Sequence, residues 1–265
     1  MIRAIEKHNA SPRGNAIAPI LVYTGQHYDY EMSQVFFQDM EIPQPDFHLD
    51  IGSGTHAEQT GKVMIEFEKV LFQEKPDIVV VVGDVNSTLA AALATVKMNI
   101  SLAHVEAGLR SNDKSMPEEI NRIVTDAVSD YLFTHSPDAN ENLRREGILQ
   151  ENIFFVGNIM VDSLLYNKTK AEHSQILSRL NLTEKGYAIL TLHRPSNVDE
   201  KESLFMIVKA LSEISKRIPV VFPSHPRTQK SLKDFNLLDH LPITDQQFLL
   251  TKPLGYIDFL KLEMS

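Results

Sequence analysis

The chain has 265 residues, 43% of them hydrophobic and 23% charged, with a formal net charge of −9 and no cysteine. That composition leaves room for one large or two medium globular domains; it argues against nucleic acid or an anionic membrane as the main partner, and it excludes disulfides, thiolate catalysis and cysteine-ligated metals. No apolar run approaches the roughly twenty residues that cross a bilayer, and Met1 to Lys7 lacks the apolar centre of a signal peptide, so a cytoplasmic protein is expected. Taken in chain order, apolar runs that read as strands alternate with helical patterns: strands over 19–23, 47–51, 77–82, 101–105, 131–134 and 153–156, then 187–192, 219–222 and 248–250. This alternation predicts an α/β architecture with parallel sheets. A polar helical stretch from Met160 to Arg179 separates the two strand series, so the domain boundary is placed near Gly157 to Asp162, with one domain over 1–158 and a second over 159–265.

The two runs that carry most information are Ile78-Val79-Val80-Val81-Val82-Gly83-Asp84 and Ser101-Leu102-Ala103-His104-Val105-Glu106-Ala107-Gly108-Leu109-Arg110. Each opens with a mainly apolar run, broken in the second by Ser101 and His104, that reads as a parallel strand buried on both faces, with Thr88 to Lys97 as the crossover helix. Each also ends in a carboxylate with a glycine within two residues, Gly83 before Asp84 and Gly108 after Glu106. In an open α/β sheet ligands bind at the carboxyl ends of the strands, so Asp84 and Glu106 fall at one crevice. The competing structural roles are a helix cap for Asp84, with Ser87 as a second candidate cap, and an ion pair with Arg110 for Glu106. Met116-Pro117-Glu118-Glu119-Ile120-Asn121-Arg122 opens a helix with proline and two acids in its first turn, which brings Glu118 toward the same edge. Carboxylates crowded at one edge suit proton transfer.

In the second series, Leu192-His193-Arg194-Pro195 and Ser224-His225-Pro226-Arg227 each follow a strand. A titratable ring beside a fixed cation suits a phosphate or a leaving group. Ile51-Gly52-Ser53-Gly54-Thr55 lacks the spacing of a phosphate-binding loop and reads as a turn capped by Thr55. No histidine pair stands at metal-ligand spacing with a carboxylate, and neither metal nor cofactor is expected.

Together, Thr24-Gly25-Gln26-His27, Gly83-Asp84, the Val105 to Arg110 segment, Pro117 to Arg122, Gly157-Asn158, Thr191-Leu192-His193-Arg194, His225-Pro226-Arg227 and Pro253-Leu254-Gly255-Tyr256 resemble the non-hydrolysing UDP-N-acetylglucosamine 2-epimerases over nearly the whole chain. The resemblance implies two Rossmann-like, doubly wound domains of glycosyltransferase-B type with a UDP-sugar between them, both incomplete here, and a homodimer for the full-length protein. It implies removal of the C2 proton, elimination of UDP to a 2-acetamidoglucal, and re-addition with inverted C2. By the same resemblance Asp84, Glu106, Glu118 and His193 are the acid-base and leaving-group residues. Arg110, Arg122 and Arg194 accompany them as substrate ligands, Phe259 stacks on uracil, and the Leu254 backbone contacts the base. Gln26, His27 and His225 match a regulatory UDP-sugar site, from which Tyr28 and Asp29 depart. The family pattern also places a strand with a Gly-Thr-Arg-Pro-Glu turn before the present start and an Asp-Ser-Gly-Gly segment after the present end, so little or no turnover is expected of the 265 residues alone. A hydrolysing epimerase, a nucleotide-sugar glycosyltransferase and a non-catalytic remnant are the alternative readings.

Overall fold

A computed structural model describes residues 1–11, 15–25, 37, 39–244 and 247–265. The chain divides into two compact units, Met1–Phe37 with Glu41–Asp162 and Gln38–Met40 with Ser163–Ser265. Both carry the parallel sheets and helices of the α/β class.

The first unit opens with helix α1 (Ile2–Asn9), followed by a two-stranded parallel ladder of β1 (Val22–Tyr23) and β2 (Phe47–His48). Helix α2 (His56–Glu74) then leads into four parallel strands in the order β3 (Ile78–Val82), β4 (Ser101–Val105), β5 (Tyr131–Thr134) and β6 (Ile153–Phe155). The connections are α3 (Asn86–Lys97), α4 (Pro117–Val128) and α5 (Pro137–Arg145). The register aligns Val82, Val105, Phe133 and Phe154 across the sheet. The carboxyl ends of β3 and β4 are therefore direct neighbours, about 5 Å apart in the hydrogen-bonding direction.

Local chemistry explains these elements. Thr55 caps α2 through a reciprocal capping box with Glu58, as expected for the 51–55 turn, and the hydrogen bonds from Thr55 hold the Glu58 carboxyl below its ordinary pKa. Ala91, Ala92 and Ala94 of α3 let that helix lie close to the sheet, and Phe67 and Leu71 of α2 join Val79, Val81 and Leu102 in the core. Each large apolar side chain so buried contributes roughly 1.5–3 kcal/mol. The expected burial of β3 on both faces does not hold. Val79 and Val81 are buried, whereas Ile78, Val80 and Val82 are 40–46% exposed, because among the described residues the crossover helices cover one face of this strand.

In the second unit β7 (Ala188–Ile189), β8 (Val220–Pro223) and β9 (Phe248–Thr251) form a parallel sheet in that order. Phe222 and Phe248 meet edge to face at 6.2 Å in its core. The helical stretch expected over 160–179 is two helices, α6 (Ile159–Glu172) and α7 (Ile176–Arg179). The break falls at Ser174, whose hydroxyl accepts from the Ile176 amide and bonds to Asp258 at 2.5 Å, an alternative partner that serine offers the backbone outside a helix. The remaining helices are α8 (Pro195–Val198), α9 (Lys201–Ser215), α10 (Pro226–Asp234) and α11 (Tyr256–Met264). No helix among the described residues is long and apolar enough to cross a membrane.

Candidate active site

The carboxyl edge of β3 and β4 is where the backbone leaves regular geometry. Gly83 has φ 72°, Glu106 φ 76° and Gly108 φ 80°, the left-handed region that side chains with a Cβ avoid. Glu106 is the unusual one of the three. Its backbone is held there because both its own amide and that of Ala107 donate to the Phe133 carbonyl at 3.1 Å. A non-glycine residue forced into this conformation marks stored strain, and such strain gathers at functional sites. The Glu106 carboxylate is half-buried and makes no hydrogen bond or ion pair among the described residues. It leans over β3, with Oε2 3.7 Å from the point where a Cβ on Gly83 would stand.

Asp84 is not a helix cap. Helix α3 starts at Asn86 with Val85 in the cap position and no side-chain cap bond, which places Ser87 within the first turn. Instead Asp84 Oδ2 accepts from Arg122 Nε at 3.0 Å and Nη2 at 2.6 Å, while its carbonyl accepts from Asn121 Nδ2 at 2.8 Å. The competing structural role for Glu106, an ion pair with Arg110, is not formed either. Arg110 Nη1 reaches Asp126 at 2.8 Å, and Nε and Nη2 grip Glu146 at 2.7 and 2.5 Å. Burial works against the Arg110 charge, but the Glu146 hydrogen bonds and the Asp126 charge outweigh it and hold the guanidinium above its ordinary pKa. The Arg110 side chain is 4% exposed, with both of these acids as its partners. Arg122 is likewise engaged first with Asp84 and Glu119. Burial opposes its charge, and the bonds to those acids raise its pKa.

Of the two acids that open α4, Glu118 is half-exposed and makes no hydrogen bond or ion pair among the described residues. Glu119, which the sequence reading passed over, is the buried one. It accepts from the amides of Ser111 and Asn112, the Ser111 hydroxyl and Arg122 Nη1 at 2.8–3.0 Å, pinning the loop after β4 to the helix that holds Asp84. Burial pushes its pKa up, and the hydrogen bonds from Ser111, Asn112 and Arg122 more than reverse this, so the net shift is downward. A lowered folded-state pKa stabilises above the unfolded value of about 4.3, and the stabilisation is lost as pH falls through the folded pKa. Glu119→Gln is accordingly expected to cost roughly 2–3 kcal/mol at pH 7. In urea unfolding the gap between the two proteins should narrow below about pH 4; a gap independent of pH would contradict this role.

In the second unit His193 and Arg194 are exposed beyond β7. The His193 ring lies 6.3 Å from that of His225. His225 Nδ1 accepts from the Arg227 amide at the start of α10, and Arg227 pairs with Asp199. Leu254 packs with Ile176, Val221 and Leu262, and Phe259 is half-buried on α11. Gln26 and His27, with Tyr28 and Asp29, lie outside the described residues. The first unit thus brings Asp84 and Glu106 to adjacent strand ends and joins Asp84 to the helix of Glu118, while the second gathers His193 and His225.

The chain as a whole is similar to known proteins. A family model described as UDP-N-acetylglucosamine 2-epimerase matches residues 9–265. The chain is similar to the UDP-N-acetylglucosamine 2-epimerase of Methanocaldococcus jannaschii, with 47% identity over 270 residues that cover 100% of this chain and 72% of the relative. It is 43% identical over 249 residues to a UDP-2,3-diacetamido-2,3-dideoxy-D-glucuronate 2-epimerase of Pseudomonas aeruginosa, covering 93% of this chain and 67% of that protein. The crystal structure of the M. jannaschii enzyme in complex with UDP-GlcNAc and UDP superposes with a TM-score of 0.86 at 46% identity, over 99% of this chain and 71% of that one. On this evidence the chain belongs to the UDP-N-acetylglucosamine 2-epimerase family.

Proposed function

We propose that the protein interconverts UDP-N-acetylglucosamine and UDP-N-acetylmannosamine, with the carboxylates at the β3–β4 edge moving the C2 proton. The observation that carries this reading is Glu106, an acid in a strained left-handed conformation, one residue past a buried strand, whose carboxylate has no partner among the described residues. One carboxylate takes the proton from C2 as the bond from C1 to the diphosphate breaks. The electron pair of the C–H bond becomes the C1–C2 double bond of the glucal, and that of the C–O bond leaves with UDP. UDP then adds back to C1 while an acid on the opposite face returns a proton to C2. Two faces require two proton carriers, and Asp84, Glu106 and Glu118 are the candidates. Arg122 orients Asp84 rather than meeting the sugar. His193 and Arg194 are proposed to stabilise the departing diphosphate, Leu254 and Phe259 to hold the base, and His225 to belong to a regulatory UDP-sugar site. The exposed Ile65 and Phe72, seven residues apart on α2, favour a homodimer, and the lack of cysteine suits the reducing cytoplasm.

The test is to incubate the gene product that carries these 265 residues with UDP-N-acetylglucosamine in deuterated water. UDP-N-acetylmannosamine with deuterium at C2 is expected. Free N-acetylmannosamine and UDP would make it a hydrolase, turnover without deuterium would remove the exchanging base, and turnover confined to the diacetamido-glucuronate nucleotide would move the substrate.

A further inference from the structure

His104 stands inside an apolar strand with no exposed surface. Its Nε2 lies 2.9 Å from the Gly83 carbonyl oxygen and its Nδ1 2.6 Å from Asp126 Oδ1. A carbonyl oxygen only accepts, so Nε2 carries a hydrogen and donates it, and the short contact on the other side of the ring is a charge-assisted bond to the carboxylate. Asp126, 1% exposed, uses its second oxygen to accept from the Gly108 amide at 3.0 Å and Arg110 Nη1 at 2.8 Å. One buried carboxylate thereby holds both strand ends. Through His104 it fixes the peptide immediately before Asp84, and directly it fixes the amide two residues after Glu106. Those are the points where the chain turns at positive φ and the sheet ladder no longer dictates its path. Stability alone does not call for such a network, since well-packed apolar residues replace buried ion pairs at little or no cost.

We propose that His104, anchored by Asp126, is a positioning residue that sets the separation of Asp84 and Glu106 for proton transfer. This rests on the role given above to those two acids. Asparagine places its amide nitrogen where Nδ1 stands and keeps the Asp126 link; glutamine reaches the Nε2 position and keeps the Gly83 link. His104→Asn is therefore expected to lower kcat on the order of 10²-fold, as a displacement of about 1 Å does, while His104→Gln stays within about tenfold of the native rate. KM should remain within about twofold in both, because the substrate's binding contacts lie elsewhere. A merely structural histidine would lower the thermal midpoint of both variants and leave their kcat values alike, and that result overturns the proposal. NMR gives a readout independent of turnover and of how well a variant folds. In the unsubstituted protein labelled with 15N-histidine, His104 Nε2 should be protonated and coupled across the hydrogen bond to the Gly83 carbonyl carbon. An unprotonated Nε2 overturns the proposal whatever the kinetics. If instead the native protein fails to turn over UDP-N-acetylglucosamine while the coupling is present, the substrate reading falls, and movement of the Asp84 carboxylate 13C resonance in His104→Asn but not in His104→Gln upholds the positioning role. An Asp84 resonance unmoved in His104→Asn refutes it.

Discussion

Gly108→Ala is expected to abolish the native fold of the first unit or to cost it about 3 kcal/mol or more. Two independent penalties fall on one methyl group. The backbone at Gly108 has φ 80°, which a residue with a Cβ tolerates at a cost of roughly 1–2 kcal/mol. The added carbon would also stand 2.5 Å from the Ala139 carbonyl oxygen and 2.9 Å from the Ala139 carbonyl carbon. Both are backbone atoms near the start of α5, so relief requires moving a helix. Gly83→Ala is the internal control. It has a similar φ of 72°, but its new carbon would meet only Glu106 Oε2 at an ordinary 3.7 Å, so about 1–2 kcal/mol is expected. Urea midpoints of the two variants should differ clearly; equal values would show that α5 yields without cost.

Glu106→Gln is expected to lower turnover by roughly 10²–10⁴-fold, the range that positioned acid-base groups supply, while the protein unfolds within a few degrees of its native midpoint. The separation of the two effects follows from the lack of a partner. Gln differs from Glu by a proton-transfer function and a charge, and the Glu106 carboxylate makes no bond among the described residues that the amide would break. Asp84→Asn removes activity too, but it also weakens the bonds from Arg122 Nε and Nη2 and should be measurably less stable. Glu106→Gly sharpens the argument, because glycine relieves the positive φ. It should be as inactive as the glutamine variant and at least as stable as the native chain, the trade expected where strain serves a site. Retained activity in either variant, with stability unchanged, would remove Glu106 from the chemistry.

The four strands β3 to β6 were legible because short, mainly apolar runs bounded by turn residues mark them locally. So were the helix starts at Thr55 and Pro117, where capping chemistry is written in adjacent residues. What escaped was decided by partners distant in sequence. Nothing local distinguishes Glu118 from Glu119 at the opening of a helix; the difference comes from the loop at Ser111 and Asn112, which donates to the second acid. Spacing to Arg122 does not help either, because Glu119 stands three residues and Glu118 four residues before it, and both distances pair on a helix. Arg110 looked free to meet Glu106 because Asp126 and Glu146, its actual partners, lie 16 and 36 residues further on. His104 was visible as a polar interruption of an apolar strand, and a buried polar group demands a partner, but the sequence does not say that the partner is Asp126. The outward face of β3 misled for the opposite reason: a run of valines reads the same whether one face is covered or two.

The central claim is that the carboxylates at the β3–β4 edge address C2 of the sugar. A crystal structure of the gene product with UDP-N-acetylglucosamine tests it most directly. The account predicts a carboxylate oxygen of Glu106 or Asp84 within about 3.5 Å of C2, the approach that proton transfer requires. A sugar ring bound with C2 beyond about 6 Å from both carboxylates, outside hydrogen-bond reach even through one water, would contradict it.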